Sequence, residues 1–182
     1  MRVFLAGATG VMGVRLVPLL LEAGHTVAGM TRSRPDAVAA LGAEPVAVNA
    51  FDAEALTAAV RAFGPDVVIH QLTDLPDAEA GHEATREANL RTRTEGTRNL
   101  LAAAGDVKTV AQSTAFPALV EEHEHLVLEA GGVILRYGYW YGPGTWYEES
   151  LPPEPRIHID EAARRTVESL GAPRGSILEL VE

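Results

Sequence analysis

The chain of 182 residues carries Lys plus Arg 15 against Asp plus Glu 25, a formal net charge of -10, with 47% hydrophobic residues and no cysteine. This suits one compact globular domain, residues 1–182, with no extended disordered tract. The acidic balance argues against nucleic acid and anionic membranes as partners, and the missing cysteine removes disulfides, zinc thiolates and thiol nucleophiles.

The opening MRVFLAGATG lacks the apolar region and cleavage pattern of a signal peptide. Every apolar stretch is broken before the roughly 18 residues a membrane span needs, so a cytoplasmic chain is expected. Val3 to Ala6 is an apolar run ending at Gly7, and Val11 to Ala23 carries apolar residues at helical spacing until Gly24. Thr26 to Met30 reads as a strand, Asp36 to Leu41 as a short helix closed by Gly42, and Pro45 to Val48 as a strand. Asp52 is placed to cap a helix running through Leu56 and Val60 to Gly64, and Asp66 to Ile69 follows as a buried-strand run. A long helix is predicted over Glu83 to Ala104, then a strand at Val107 to Ala111, a helix at Leu119 to Ala130 and a strand at Val133 to Leu135. Beyond the proline-rich stretch from Pro143 to Pro155 come a strand at Ile157 to Ile159, a helix at Asp160 to Leu170 and a strand at Ile177 to Val181.

Apolar strands alternating with helices predict an α/β fold: a doubly wound, mainly parallel sheet with helices on both faces. Ligands of such sheets lie beyond the carboxyl ends of the strands, a rim that holds Gly7 to Gly13, Thr31 to Arg34, Asn49, Gln71 to Thr73 and Ser113.

The turn Gly7-Ala8-Thr9-Gly10-Val11-Met12-Gly13 leaves the first strand and opens the first helix, the context in which such turns receive the pyrophosphate of a dinucleotide. Gly7 permits the tight turn, Gly10 the approach of backbone to phosphate, and Gly13 close packing of helix on strand, while Thr9 and the amides of Val11 and Met12 face the anion. An acidic residue after the second strand would select NAD, but the run here is Thr31-Arg32-Ser33-Arg34. Arg32 and Ser33 suit a 2′-phosphate, so NADP(H) is favoured over NAD(H).

The motifs GATGVMG at 7–13, VVIHQLT at 67–73, EGTRNLLAAA at 95–104, LRYGYWYGPGTW at 135–146 and IHIDEAARRTVESL at 157–170, in this order, resemble the NAD-dependent epimerase/dehydratase branch of the extended short-chain dehydrogenase/reductase superfamily. The resemblance implies a Rossmann sheet with a much reduced substrate region at 137–182. It implies that Asn49 and Ala50 lie by the adenine, Gln71, Leu72 and Thr73 along the cofactor, and Tyr137 and Gly138 near the nicotinamide. The superfamily's Tyr-x-x-x-Lys pair is missing: its positions fall on Phe116 and Val120, its usual Asn falls on Arg93, and the single lysine is Lys108. Ser113 and Thr114 remain as candidate catalytic hydroxyls.

The resemblance also implies a homodimer built on the Arg-rich helix of Arg86, Arg91, Arg93 and Arg98 and the acidic helix of Glu121, Glu122, Glu124 and Glu129, with solvated charged faces as the simpler account. No metal site is expected, since His123 and His125 two apart on a helix point to different faces. They read as a solvated helix start, His70 as a structural histidine and Asp160 as a helix cap. The aromatic residues between Tyr137 and Tyr147 either line a pocket for a small apolar substrate or pack against the tail. The expected function is an NADP(H)-binding oxidoreductase-like protein. A non-catalytic NADP sensor and a redox-neutral lyase or isomerase are the alternatives.

Overall fold

The computed structural model describes residues 1–75, 82–116 and 120–182. Nine strands are described: β1 (Arg2–Ala6), β2 (Thr26–Thr31), β3 (Glu44–Ala47), β4 (Val67–His70), β5 (Lys108–Thr114), β6 (Val133–Tyr137), β7 (Tyr139–Tyr141), β8 (Arg156–His158) and β9 (Ile177–Leu180). Seven of them form one sheet in the order β3-β2-β1-β4-β5-β6-β9, with every neighbouring pair parallel. The chain moves outward from β1 through β2 to β3, then returns across β1 to β4, so the order reverses between β1 and β4. That reversal opens a crevice beyond Ala6 and His70, whose Cα atoms are register partners. β7 and β8 form a separate parallel pair beyond the end of β6.

The helices are α1 (Gly13–Glu22), α2 (Pro35–Ala40), α3 (Ala53–Phe63), α4 (His82–Arg91), α5 (Thr97–Ala104), α6 (Glu121–Glu129) and α7 (Ile159–Glu168). One face of the sheet buries Leu5, Ile69 and Leu135 against Leu16 and Leu20 of α1 and Ala162 of α7. The other buries Phe4 and Val68 against Leu56 and Val60 of α3 and Leu100 of α5. Strands buried on both faces need no polar alternation, which is why β1 and β4 read as continuous apolar runs. Each fully buried Leu or Phe contributes about 2 kcal/mol of transfer free energy.

The doubly wound parallel sheet predicted from the sequence is the one observed. Asp52 caps α3 by accepting the Ala55 N–H at 3.0 Å, and Gly64 ends it with φ 63°. Three details differ. The helix predicted over Glu83 to Ala104 is divided by a π turn at Thr92–Gly96. β5 and β6 run on to Thr114 and Tyr137, carrying Ser113 and Thr114 inside a strand. The cap of α7 is His158, whose Nδ1 accepts the Asp160 N–H at 3.3 Å, while Asp160 itself binds Arg15. The predicted start of α6 at Leu119 lies outside the described residues. Among the described residues no helix is long and apolar enough to cross a membrane.

Candidate functional site

The glycine turn sits at the crevice between β1 and β4. Gly7 has φ 95°, and a Cβ there would come within 2.8 Å of the Gln71 carbonyl oxygen on the neighbouring strand. A Cβ on Gly13 would lie 2.2 Å from the Gly7 oxygen and 2.6 Å from the Ala8 carbonyl carbon, so only glycine lets α1 seat against the turn. Gly10 differs. A Cβ on it would meet only the Gly7 oxygen, at 3.4 Å, which leaves open space over the turn where a phosphate backbone can approach. Thr9 lies beside Thr31, their hydroxyl oxygens 3.3 Å apart, while Met12 is buried and Val11 half-buried.

At the end of β2, Arg32 is exposed and its Nη2 lies 3.1 Å from the Asp74 carboxylate. Asp74 also accepts the Thr92 hydroxyl at 2.6 Å, and its backbone N–H donates to Asn89 at 3.1 Å. The sequence therefore lacks a carboxylate after β2, but the fold brings one to Arg32 from beyond β4. Arg34, left out of the predicted cofactor set, reaches back to the turn and donates to the Thr9 carbonyl at 2.7 Å. Ser33 is exposed.

Asn49 is exposed, its side-chain oxygen accepting the Phe51 N–H, and Ala50 is buried with its carbonyl held by Asn99 at 2.9 Å. Gln71 is buried beneath the crevice, and its Oε1 has no hydrogen-bond partner. Leu72 and Thr73 are half-buried along the same edge. Tyr137 is 2% exposed and its hydroxyl lies 2.7 Å from Thr166 Oγ1; burial pushes the phenol up to about 12. Its ring thus belongs to the core, and only its backbone borders the rim. The missing side chain of Gly138 is explained by the Pro155 carbonyl oxygen, 2.5 Å from where a Cβ would sit.

The two candidate catalytic hydroxyls face different surroundings. Ser113 is buried and donates to Glu124, which also takes Arg136 Nε at 3.0 Å and Nη2 at 2.7 Å. Arg136 and Ser113 hold that carboxyl below its usual range, against the opposing effect of burial, the largest single influence on it. Thr114 is half-buried and its Oγ1 accepts the Phe116 N–H at 3.3 Å. Val120 is buried ahead of α6. Lys108 is far from this chemistry in role: its ammonium donates to the Leu170 and Ala172 carbonyls at 2.6 and 3.1 Å, closing the turn after α7.

Two expectations of solvated charge are corrected. His123 and Glu124 are 1% and 5% exposed, because the face of α6 that carries them packs on β5 and on the π turn. His125, two residues on, is exposed beside Glu129, as the helical spacing requires. Leu72 N–H donates to His70 Nδ1, His70 Nε2 lies 2.8 Å from Thr97 Oγ1, and that hydroxyl lies 3.0 Å from His123 Nδ1. Arg93, on the π turn, is 8% exposed and not part of a solvated stripe. Its Nε and Nη1 are buried with no hydrogen-bond partner. Burial lowers the guanidinium to about 10, with Glu124 opposing the shift. Sequence reading missed both burials because a π turn has no residue signature of its own.

The aromatic segment divides in two. Tyr137 and Trp140 pack edge to face in the core at 5.4 Å, whereas Phe116, Tyr139 and Tyr147 form a half-buried chain of rings at 5.0 and 5.9 Å along the rim. Arg15 ties the loop that follows to the glycine turn. Its Nη1 donates to the Val11 carbonyl at 2.8 Å, its Nη2 to Pro143 at 2.5 Å and its Nε to Asp160 at 2.7 Å.

Known proteins resemble this chain in sequence and in fold. A 3-diazoavenalumate denitrifying reductase from a Streptomyces species is 38% identical, the match covering 81% of this chain and 59% of that relative's length. Among solved structures, the Thermus thermophilus UDP-glucose 4-epimerase in complex with NAD superposes with a TM-score of 0.80 at 20% identity, over 100% of this chain and 78% of its own. The Bordetella bronchiseptica enzyme WbmH in complex with NAD+ does so at 0.77 and 18%, over 100% and 75%. At those identities the superpositions establish the Rossmann fold. The family model for NAD dependent epimerases and dehydratases matches residues 3–124, a span holding the glycine turn, the β4 edge, the π turn and the start of α6. With that match added to the reductase relative, the chain belongs to the NAD-dependent epimerase/dehydratase family.

Proposed function

We propose that this protein is an NADP(H)-binding oxidoreductase acting on a small apolar molecule, with residues 1–182 as one dinucleotide-binding domain and 137–182 as its substrate side. The observation that carries the reading is the open cradle over Gly10, in the glycine turn at the β1–β4 crevice. Gly7, Thr9, Gly10, Val11, Met12 and Gly13 would hold the pyrophosphate. Thr31, Arg32, Ser33, Asn49 and Ala50 would hold the adenosine half, with Gln71, Leu72, Thr73 and the backbone of Tyr137 and Gly138 along the rest. A bound nicotinamide would supply or accept hydride. The relative named as a reductase and the neighbours solved with NAD support this class of chemistry.

Proton handling falls to Thr114. Its oxygen accepts from Phe116, which leaves its own proton for a substrate oxygen, whereas the Ser113 proton is committed to Glu124. Tyr137 cannot substitute, because its phenol stays protonated and bound to Thr166 at neutral pH. The ring chain of Phe116, Tyr139 and Tyr147 gives the substrate an apolar wall. The faces of α6 and of the Arg-rich stretch from α4 through α5 are the proposed homodimer contact, although Arg98 and Glu122 pair within one chain. Calorimetric titration with NADPH and NADH, on wild type and Arg32→Ala, tests the cofactor assignment: NADPH should bind more tightly, and the variant should erase the difference. Binding of neither dinucleotide would end the proposal.

Phe116 and Val120 at the dyad positions favour a second reading, a cofactor-binding sensor without turnover. NADPH absorbance followed across a carbonyl panel separates the two, since a sensor binds but consumes nothing.

A further inference from the structure

The tyrosines between 137 and 147 use their hydroxyls differently. Tyr137 is buried with its hydroxyl 2.7 Å from Thr166 Oγ1, and Tyr141 donates to the Glu182 carboxylate at 2.5 Å. Tyr139 is half-buried, and its hydroxyl makes no hydrogen bond among the described residues and is not enclosed. Its ring is nevertheless fixed. Phe116 packs on it at 5.0 Å and Tyr147 at 5.9 Å, while the Pro155 carbonyl accepts the Tyr139 N–H at 2.9 Å. A phenol set in place with its donor unused is preorganised to meet a ligand oxygen.

Tyr139 borders the crevice because the segment that carries it touches the crevice on both flanks. On one side Gln71 Nε2, at the end of β4 beneath Gly7, lies 3.5 Å from the Tyr137 hydroxyl; on the other, a Cβ on Gly144 would lie 3.6 Å from Val11 Cγ2 in the glycine turn. Phe116 joins Tyr139 to Thr114. Its N–H donates to Thr114 Oγ1 at 3.3 Å while its ring packs on Tyr139, and Thr114 is the register partner of Tyr137, two residues before Tyr139. Thr114 thus ends β5 and Tyr139 follows the end of β6, the neighbouring strand. A threonine that released its proton outright would leave an alkoxide, too basic to stand at neutral pH. A phenol is a far stronger acid than an aliphatic alcohol.

We propose that Tyr139 supplies the net proton when a carbonyl substrate is reduced, with Thr114 holding the same oxygen by its own hydrogen bond. The carbonyl carbon takes hydride from bound NADPH, the π electron pair moves onto oxygen, and that oxygen takes the Tyr139 proton. The phenolate left behind recovers its proton from water. This deepens the reading of the cleft as a substrate site and names carbonyl compounds as its substrates. It rests on that reading for turnover, but contact of Tyr139 with a carbonyl oxygen is measured without cofactor.

The test is NMR of Cζ-labelled tyrosine during titration with acetophenone and with ethylbenzene, an analogue of similar shape without the oxygen, on cofactor-free and on NADP+-saturated protein. Acetophenone should shift the Tyr139 resonance, identified by its loss in Tyr139→Phe, and bind about tenfold more tightly than ethylbenzene. Tyr139→Phe should cut that preference to about threefold and bind ethylbenzene as wild type does. With NADPH present, the same variant should slow carbonyl reduction about 100-fold at unchanged NADPH affinity. A Tyr139 resonance that acetophenone leaves still, or a preference undiminished in Tyr139→Phe, overturns the contact. A wild type that binds NADPH and acetophenone yet oxidises no NADPH across a carbonyl panel, or a variant as fast as wild type, overturns the proton transfer. Calorimetry with NADPH on the same sample reports separately on the dinucleotide site.

Discussion

His70 and His123 share one hydroxyl: Thr97 Oγ1 stands 2.8 Å from His70 Nε2 and 3.0 Å from His123 Nδ1, with the two rings edge to face at 5.2 Å. Leu72 N–H occupies His70 Nδ1, so His70 donates from Nε2 to Thr97; the Thr97 hydroxyl and the Arg93 carbonyl stand 3.0 and 3.2 Å from His123 Nδ1, and the Gln112 carbonyl 2.8 Å from its Nε2. Both imidazoles are neutral links in a chain that ties β4, α5, α6 and β5 together.

That neutrality makes stability depend on pH. Burial lowers His123 to about 4 and His70 well below its ordinary 6.5, each assisted by nearby positive charge. In the unfolded chain both titrate near 6.5, so below that pH the unfolded state binds more protons. The contribution is fully present above pH 6.5 and is lost as pH falls towards 4, about 3 kcal/mol for His123 alone. Urea midpoints should therefore drop between pH 7.5 and 5, and Thr97→Val should cost about 2 kcal/mol at pH 7.5 by leaving both rings short of a partner. A midpoint flat across that range would refute the assignment of two buried neutral histidines.

The ion pair of Arg32 with Asp74 sets a second expectation. Asp74 holds the Arg32 guanidinium at 3.1 Å and would compete with the 2′-phosphate of the proposed NADP(H) for it. Asp74→Asn should strengthen NADPH binding by about three- to tenfold and leave NADH nearly unchanged, since Arg32 is exposed and the half-buried residue 74 keeps an oxygen for the Thr92 hydroxyl. Arg34→Ala should weaken both dinucleotides alike, because Arg34 braces the Thr9 carbonyl of the turn. Competition calorimetry measures both. If Asp74→Asn strengthened NADH equally, Arg32 would have no part in selecting the cofactor.

What the sequence disclosed follows from how local the cause was. The glycine turn was legible because Gly7 and Gly13 answer to contacts within seven residues of chain and to strand β4. The parallel sheet was legible because strands buried on both faces must be apolar throughout. Arg93 and His123 were not legible. Their burial depends on a π turn meeting α6 across 30 residues of chain, and a polar residue on a helix ordinarily reads as solvated. Asp74 was overlooked for a related reason: it pairs with Arg32 across 42 residues, where strand-end reading expects the selecting residue on β2 itself.

Gly13→Ala tests the turn through stability. The added methyl would sit 2.2 Å from the Gly7 oxygen and 2.6 Å from the Ala8 carbonyl carbon, both backbone atoms, so α1 or the turn must shift. A loss of about 2 to 4 kcal/mol in urea unfolding is expected, together with loss of dinucleotide binding. Gly24→Ala is a useful contrast: its φ of 78° brings strain, about 1 kcal/mol, but nothing lies within 4 Å, so binding should survive. Equal losses in the two variants would mean that the turn gives way to the added methyl and that close packing does not hold position 13 to glycine.

Arg15 should control the order of the loop over the crevice. One guanidinium holds the Val11 carbonyl at the start of α1, the Pro143 carbonyl and the Asp160 carboxylate, and its side chain is 20% exposed against 64% for Asp160. The exposed ion pair contributes little, so most of the effect should come from the two carbonyl contacts. Arg15→Ala is expected to cost about 1 to 2 kcal/mol and to speed amide exchange in the segment from Gly142 to Tyr147, whose turn also carries the bonds from Gly142 N–H to Tyr147 and from the Thr145 N–H and hydroxyl to Gly142. Arg15→Lys should not restore protection, because an ammonium on a flexible stem cannot span three acceptors set around a planar fork. Hydrogen exchange followed by mass spectrometry reads this directly, with the α3 peptide as internal reference. A lysine variant as protected as wild type would show that charge at this position is enough and that the fork geometry does not fasten the loop.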